Sequence, residues 1–394
     1  MAKMDLHRSA FPVSLTIFLL CLLAVPAEAE TPEDGVGTGA APASLSGEFK
    51  SAIVIDAETG LVLVANNDRL RRQPASMLKM MTELIVLEHL ADEDLTMGET
   101  VRVSAKSSRM GGSQVYLKHN EEFTVEELLQ ALAIHSANDA AVALAEHVAG
   151  STDAFVDLMN MRARDLGMSD TEFNSVHGLP AGRGQRPDLT TAHDLSLLGM
   201  ELIKYPDALE WASTKTAPFR GGEFTLYNPN KLVGNYRGLD GLKTGYTGGA
   251  GFCVTATAVQ KGKRLISVVM GCPTDHARAN ETTRLLTYGF NAFEQVAIIP
   301  EAGQPLDLEV PVKGGKVKRS SVAYGESLTV SVPRSRQDDL VVDYELPEKL
   351  AAPLAAGEVV GRAVVKLDGR ELGSVPLVTT EDLPKGNWFN RLLK

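Results

Sequence analysis

The chain has 394 residues, 44 % of them apolar, which is enough for more than one domain and a substantial core. Its formal net charge of −11 argues against a nucleic-acid-binding protein. The cysteines and histidines have no spacing typical of a metal site, so we expect no metal and no other cofactor.

The N-terminus has the composition of a secretion signal. Two basic residues precede an apolar segment from Phe11 to Val25, and Ala27-Glu28-Ala29 forms a small-x-small cleavage site. The apolar segment is short for a membrane span, and an uncleaved anchor is the alternative. We therefore expect a signal peptide at residues 1–29 and an exported protein that acts in the periplasm.

A linker and a pair of strands follow the signal. Residues 30–47 are rich in Pro, Gly, Ala and Ser, which is typical of a flexible segment. Two apolar runs, Ala52–Asp56 and Leu61–Ala65, flank a turn at Glu58-Thr59-Gly60 and predict two strands. These strands begin a domain that we place at residues 48–295.

The segment Ser76-Met77-Leu78-Lys79 pairs a potential nucleophile with a potential base. If a helix begins near Ala75, the two side chains lie one turn apart on the same face. The apolar residues that follow predict a buried helix, and burial lowers the pKa of a lysine from its ordinary value near 10.4. Lys243 is the candidate for a second cation that lowers it further. The alternative is a surface Ser and Lys on an amphipathic helix.

The triplet Ser136-Ala137-Asn138 lies between two apolar, helix-like stretches. A small polar break there predicts side chains that project into a cleft. A hydroxyl can relay a proton, and a carboxamide can both donate and accept hydrogen bonds. The alternative is that Ser136 or Asn138 caps the Ala-rich helix that follows. We interpret the adjacent His135 as a structural histidine.

The triplet Lys243-Thr244-Gly245 precedes two strand-like runs, Gly251–Val259 and Arg264–Met270. An edge strand that carries the triplet would let an extended peptide pair alongside it. The glycine leaves space for that approach, while the lysine and threonine can hold a carboxylate. This segment is therefore a candidate peptide-binding edge.

The two runs carry Cys253 and Cys272. If the runs pair about Gly262, within a turn at Gln260–Lys263, the two cysteines fall opposite each other. A disulfide is then conceivable in an oxidising compartment, and two buried thiols are the alternative. A helix from about Ala277 to Glu294 should return to pack on the sheet.

From about Gln295, short alternating strands predict a small all-β domain at residues 296–380. It has no catalytic cluster, so we expect it to act as a spacer or to contact the wall or a partner. The predicted strands are Leu306–Val310, Leu328–Val332, Leu340–Tyr344, Val359–Leu367 and Gly373–Val378.

The last residues, 381–394, form a short tail in which Trp388 and Phe389 share an apolar side flanked by Arg391 and Lys394. Aromatic residues beside cations suit a membrane interface. We expect peripheral contact with the outer face of the cytoplasmic membrane, and capping of the β domain is the alternative.

The three motifs follow one another at intervals of 60 and 107 residues. The set resembles the Ser-x-x-Lys, Ser-x-Asn and Lys-Thr-Gly motifs of penicillin-binding proteins and serine β-lactamases. Longer segments resemble low-molecular-weight penicillin-binding proteins, specifically the D-alanyl-D-alanine carboxypeptidases. These segments are Pro74–Thr82, Ser136–Glu146, His177–Leu179, Leu189–Leu195 and Asp240–Thr247.

This resemblance implies an α/β fold, with an antiparallel sheet and helices, followed by a small all-β domain. It also implies a serine enzyme that removes the terminal D-alanine from peptidoglycan stem pentapeptides through an acyl-enzyme, and that β-lactam antibiotics acylate. The resemblance makes Ser76 the nucleophile, Lys79 its general base, Ser136 a proton relay and Asn138 a substrate-orienting amide.

The other implied roles concern binding. Lys243 and Thr244 would hold the terminal carboxylate, and Gly245 would admit the substrate. The backbone N–H groups of Ser76 and Tyr246 would form the oxyanion hole. Arg278 matches the position of an active-site arginine in this family, and its alternative is a solvated helix residue.

Three other functions stay open from the sequence. A serine β-lactamase shares the acylation chemistry but needs efficient water activation, and Glu172-Phe173-Asn174 has the wrong spacing for the Glu-x-x-x-Asn loop of one large class. A DD-endopeptidase would cut crosslinks between stems. A wall-binding protein without activity is disfavoured because all three motifs are intact.

Overall fold

The computed structural model describes residues 43–386. They form two compact units, a larger one that ends at Asn291 and a smaller one that begins at Ala292. The predicted signal peptide, most of the predicted linker and residues 387–394 of the predicted tail lie outside the described residues.

The larger unit combines helices with one main sheet. Its strands are β1 Ser51–Asp56, β2 Val62–Asn66, β3 Thr100–Arg102, β4 Glu122–Thr124, β5 Thr216–Phe219, β6 Phe224–Tyr227, β7 Leu239–Thr247, β8 Gly251–Gln260 and β9 Lys263–Cys272. Its helices are α1 Lys79–Ala91, α2 Val125–His135, α3 Asn138–Ala149, α4 Thr152–Asp165, α5 Ala192–Leu202, α6 Pro206–Ser213 and α7 Asp275–Ala292.

The main sheet is antiparallel, with strand order β2-β1-β9-β8-β7. All six residues of β1 are buried, because this strand lies inside the sheet and both its faces are covered. β7 lies at the edge, as the sequence predicted for the strand that carries Lys243-Thr244-Gly245. Two small antiparallel sheets of two strands each, β3–β4 and β5–β6, are separate from this sheet.

Helix α1 is the centre of the larger unit's core. Residues Lys79 to Leu87 are all buried, so the helix is enclosed on every side. Helices α2, α3 and α5 pack around it. Helix α2 starts at a capping box: the Thr124 side chain accepts from the Glu127 N–H at 3.2 Å, and the Glu127 carboxylate accepts from the Thr124 N–H at 2.8 Å.

The β8–β9 hairpin places the two cysteines out of register. Gln260 pairs with Lys263, and this register alone would place Cys272 opposite Gly251; an irregularity between Phe252 and Val254 moves its partner to Phe252, still one residue short of Cys253. Cys253 and Cys272 are both buried free thiols, so the disulfide alternative is wrong. The Gly271 N–H lies 3.3 Å from the Cys253 sulfur and donates to it.

The smaller unit is built from strands. They are β10 Phe293–Ile299, β11 Pro305–Lys313, β12 Arg319–Tyr324, β13 Leu328–Pro333, β14 Val341–Glu345, β15 Leu350–Ala351, β16 Val359–Leu367 and β17 Arg370–Thr379. Six of them form a sheet of order β14-β16-β17-β12-β11-β15, and β10 pairs with β13. The predicted all-β fold is confirmed.

The start of the predicted tail belongs to this β unit. Leu383 is fully buried and pairs with Leu354, and Lys385 pairs with Gly315. The Gly386 N–H donates to the Gly314 carbonyl at 2.9 Å. Residues 381–386 therefore continue the β unit in contact with its loops.

Gly245 is the point where β7 comes closest to the turn before Ser76. A Cβ added at Gly245 would lie 2.7 Å from the Pro74 carbonyl oxygen, which is backbone and cannot rotate away. A Cβ at Gly248, three residues further, would meet no atom within 4 Å. The edge strand therefore approaches that turn only because residue 245 has no side chain.

We expect Gly245→Ala to lower the free energy of unfolding by about 1–3 kcal/mol, the usual cost of overpacking. The matched control, Gly248→Ala, should be neutral or slightly stabilising. Urea denaturation of both variants measures the difference. Equal stability of the two variants would show that β7 can move away from the turn at no cost.

Candidate active site

Ser76 and Lys79 meet at the start of the central helix. A 3-10 turn at Ala75–Leu78 leads directly into α1, so the two side chains are one turn apart, as the sequence predicted. Lys79 Nζ lies 2.9 Å from Ser76 Oγ, and it donates to the His177 carbonyl oxygen at 2.9 Å. Lys79 is completely buried, which rules out the surface alternative.

The surroundings lower the pKa of Lys79 well below its ordinary value. Burial is the main cause and the charge of Lys243 is the second, while Asp139 and Asp188 act in the opposite direction. A lysine with a lowered pKa is partly neutral near neutral pH, and its lone pair can then accept a proton. The predicted influence of Lys243 is present, but it is secondary to desolvation.

A loop segment presses against the turn that carries Ser76. Gly178 has a φ of +75°, and a Cβ there would lie 2.1 Å from the Ala75 carbonyl oxygen. The Thr82 hydroxyl donates to the Val176 carbonyl at 3.1 Å. The segment Val176–Gly178 thus supplies the carbonyl that holds Lys79, and only glycine fits at its closest point.

Ser136 and Asn138 lie at the junction of α2 and α3. Ser136 ends α2 with a φ of +64°, and its side chain is buried. Asn138 is the first residue of α3; its Nδ2 donates to the Gly111 carbonyl at 2.6 Å. The capping alternative is wrong, because the N-cap of α3 is Ala137 and has no side-chain bond.

One atom of Asn138 is unsatisfied. Its Oδ1 is buried and has no hydrogen-bond partner among residues 43–386. A buried polar atom without a partner is costly, and such atoms in native proteins are often explained by function. This oxygen is available to accept an N–H group from a ligand.

Asp139 is a site residue that the sequence reasoning missed. It is buried, and its carboxylate accepts from the N–H groups of Val115 and Leu117 at 3.0 to 3.2 Å. These bonds fix the loop that passes over Ser136 and Asn138. The only signal in the sequence was its place directly after the Ser136-Ala137-Asn138 triplet.

Lys243 lies on the edge strand with its amine buried, and it donates to the Thr244 carbonyl at 3.2 Å. Burial lowers the pKa of Lys243 to about 7; Glu83 opposes this shift and Arg278 adds to it. Glu83 was also missed from sequence: it lies one turn after Lys79, buried, and its Oε1 has no partner among the described residues.

Arg278 projects from α7 and is buried, so the alternative of a solvated helix residue is wrong. It forms an ion pair with Asp275, and its Nη1 donates to the Cys253 carbonyl at 3.3 Å. Its guanidinium carbon lies 6.0 Å from the centre of the Phe252 ring, whose centroid is 4.2 Å from that of Tyr246. Arg278 and Tyr246 therefore contact the same ring.

Two residues that were considered as site candidates from the sequence make their contacts elsewhere. His135 accepts from the Tyr227 N–H through Nδ1 at 3.1 Å and packs edge-on against Phe224, in keeping with a structural histidine. Glu172 lies 3.8 Å from Arg71 and 3.5 Å from Arg186, so its carboxylate is engaged by surface arginines. Neither residue contributes to the cluster around Ser76.

Two negative findings apply to residues 43–386. Within them, no group of three or more His, Cys, Asp or Glu side chains could hold a metal ion. In the same part of the chain, no helix combines the length and the apolar composition needed to cross a membrane.

The Glu83 carboxyl gives a test of these electrostatics. Burial raises its pKa from 4.5 to about 8, with Lys243 acting in the opposite direction. The folded state therefore holds this proton more tightly than the unfolded state. The stability that the protonated form contributes is complete below about pH 4.5 and is lost as the pH rises towards 8.

We expect Glu83→Gln to gain stability relative to the parent as the pH rises, because a buried amide does not ionise and so loses no stability in this range. The difference in unfolding free energy should grow by at least about 1 kcal/mol between pH 5 and pH 8. The control is Glu122→Gln at an exposed site on β4, which should show no such trend. A constant difference for Glu83→Gln would mean that its carboxyl titrates normally.

Comparison with known proteins agrees with this geometry. A family model described as D-alanyl-D-alanine carboxypeptidase matches residues 38–274, and one described as the C-terminal domain of penicillin-binding protein 5 matches residues 293–385. The D-alanyl-D-alanine carboxypeptidase DacF of Bacillus subtilis is 34 % identical over 384 residues, 96 % of either chain.

Solved structures are also similar. Penicillin-binding protein 5 from Haemophilus influenzae has a TM-score of 0.78 and 31 % identity, and the match covers 88 % of this chain and all of that one. Penicillin-binding protein D2 from Listeria monocytogenes in its ampicillin-bound form has a TM-score of 0.58 and 34 % identity, over 63 % of this chain and 99 % of that one. The chain therefore belongs to the D-alanyl-D-alanine carboxypeptidase family of low-molecular-weight penicillin-binding proteins.

Proposed function

We propose that this serine-type D-alanyl-D-alanine carboxypeptidase removes the terminal D-alanine of stem pentapeptides through an acyl-enzyme on Ser76. The observation that carries the assignment of residues is the buried Lys79 amine, 2.9 Å from the Ser76 hydroxyl oxygen. A serine hydroxyl is a weak nucleophile without such a base. The motif order and the family membership support the same reading.

The acylation step uses groups that the fold holds in place. The neutral amine of Lys79 takes the Ser76 proton while the oxygen attacks the carbonyl between the two D-alanines. The N–H groups of Ser76 and Tyr246 stabilise the negative charge that develops on that carbonyl oxygen. Ser136 relays a proton to the leaving nitrogen, and the freed D-alanine departs.

Substrate orientation depends on Asn138 and the edge strand. The unsatisfied Oδ1 of Asn138 accepts an N–H of the substrate backbone. The peptide lies extended along β7, where Gly245 leaves space between the strand and the turn before Ser76. Pairing with an edge strand fixes the direction of the substrate as well as its position.

The terminal carboxylate is recognised by Lys243, Thr244 and Arg278. Lys243 and Arg278 are buried cations, so an anion between them gains charge-assisted hydrogen bonds in a poorly solvated place. Arg278 already contacts Asp275 and the Cys253 carbonyl, which hold its guanidinium before substrate arrives. A free carboxylate is what separates a carboxypeptidase substrate from a crosslinked one.

The remaining proposals concern the ligands that acylate the protein and its location in the cell. The ampicillin-bound relative supports acylation of this chain by β-lactams as well. The composition of residues 1–29 supports export to the periplasm, and that of residues 381–394 supports peripheral contact with the cytoplasmic membrane.

We expect labelled penicillin to form a stable adduct on Ser76, detected by peptide mapping and mass. Ser76→Ala should abolish labelling, while Ser169→Ala, at an exposed site, should leave it intact. Digestion of purified muropeptides should shorten pentapeptides by one alanine and leave crosslinked dimers uncut. Rapid turnover of penicillin would instead favour a β-lactamase, and cleavage of dimers an endopeptidase.

Arg278→Ala should lower kcat/KM on acyl-D-Ala-D-Ala about 10- to 150-fold, because a charge-assisted contact contributes about 1.5–3 kcal/mol. The same peptide with an amidated C-terminus should be a poor substrate for the parent and change little in the variant. Arg284→Ala, on the same helix, is the matched control. Equal parent activity on acid and amide would contradict recognition of the carboxylate.

A further inference from the structure

A cavity of about 500 Å³ lies at the end of the sheet where β7 turns into β8. Its lining includes Tyr246, which follows the Lys243-Thr244-Gly245 triplet, and Gly248 to Gly251 in the turn itself. Arg72, four residues before Ser76, and Lys50, directly before β1, also line it. None of these cavity residues has a part in the acylation step except Tyr246, through its backbone.

The two cations of this cavity lie against the same glycine. A Cβ added at Gly271 would lie 2.8 Å from Cγ of Lys50 and 2.9 Å from Nη2 of Arg72. The side chains therefore converge on one point, which is open because residue 271 is glycine.

Neither cation is neutralised by the protein. Within residues 43–386, neither Lys50 nor Arg72 belongs to an ion pair with N···O at or below 4.0 Å. Arg72 donates from Nη2 to the Ala250 carbonyl at 3.1 Å, but its Nε is buried and has no partner in that part of the chain. Glu48 also lines the cavity, so the local charge is two positive and one negative.

The direction of the substrate brings its upstream part to this cavity. This step rests on the proposed function, in which the terminal carboxylate is near Thr244 and the scissile carbonyl is at the Tyr246 N–H. The peptide then runs antiparallel to β7, and its earlier residues extend past Thr247 towards the turn. At about 3.3 Å per residue, the residue before the penultimate D-alanine reaches the edge of the turn.

We propose that this cavity is a substrate subsite in which Lys50 and Arg72 bind a carboxylate on the side chain of the residue before the penultimate D-alanine. The guanidinium of Arg72, which lines the cavity, and the Lys50 amine supply the donors. A side chain of several carbons spans the distance from the edge strand to the cavity. A side chain that ends in an ammonium would meet two like charges there, so the enzyme selects stems by the charge at this position.

The test compares three N-acetylated tripeptides that end in D-Ala-D-Ala and differ only in the first residue. That residue is 2-aminopimelic acid, its side-chain amide, or lysine. The parent should show a kcat/KM about 10-fold or more higher for the carboxylate than for the amide, with the ammonium lowest. Lys50→Gln and Arg72→Gln should each bring the carboxylate-to-amide ratio close to one.

Two further variants sharpen the result. Glu48→Gln should raise the carboxylate-to-amide ratio, because it removes the competing anion, and Lys261→Gln, in the exposed turn at the other end of β8, should leave the ratio unchanged. Lys50 is exposed, so its variant keeps the test valid even if Arg72→Gln fails to fold.

The failures of the two proposals are distinguishable. A parent enzyme that releases D-alanine from none of the three peptides contradicts the proposed function. A parent that hydrolyses all three equally, or variants of Lys50 and Arg72 that keep the parent ratio, overturns the subsite while the carboxypeptidase assignment stands.

Discussion

The buried amine of Lys79 is the group on which the proposed active site depends. Water is excluded from it, so its charged form is disfavoured, and it lies between the Ser76 hydroxyl and the His177 carbonyl at 2.9 Å from each oxygen. A protonated lysine would be a poor base and a costly charge in the core. Burial of Lys79 therefore lowers the stability of the fold, and the same burial makes the amine suitable as the proposed base.

Several features of the fold keep the Lys79 amine buried. Helix α1 is enclosed over the residues that follow Lys79, so the amine has no route to solvent along the helix. Gly178 lets the loop that carries the His177 carbonyl approach the turn before Ser76. Gly245 lets the edge strand β7 approach the same turn. Lys243 adds positive charge, and the neighbouring Glu83 limits how far the pKa of Lys243 falls.

The sequence predicted the elements that local pattern determines: the α/β fold class, the edge position of β7, the contact of Ser76 with Lys79, and most strands of the β unit. It missed β12 and β15, which are short or carry few apolar residues. It also missed β10, because it extended α7 two residues too far, over the start of that strand. The wrong register of Cys253 and Cys272 came from the position of the turn. Gln260 pairs with Lys263, so the hairpin is centred between Lys261 and Gly262, one residue before the centre that opposed cysteines require. The sequence has no periodic signal for residues that become neighbours only in the folded chain. For this reason it did not predict the site contacts of Glu83 and Asp139 or the ion pair of Arg278 with Asp275.

The central claim is that Lys79 is neutral when the enzyme works. The most direct measurement is an NMR titration of protein labelled with ¹³C at the lysine Cε positions, with the Lys79 signal assigned by its loss in Lys79→Arg. The account predicts that Lys79 titrates well below the exposed lysines of the same sample. A Lys79 signal that titrates together with the exposed lysines, near 10.4, would contradict it.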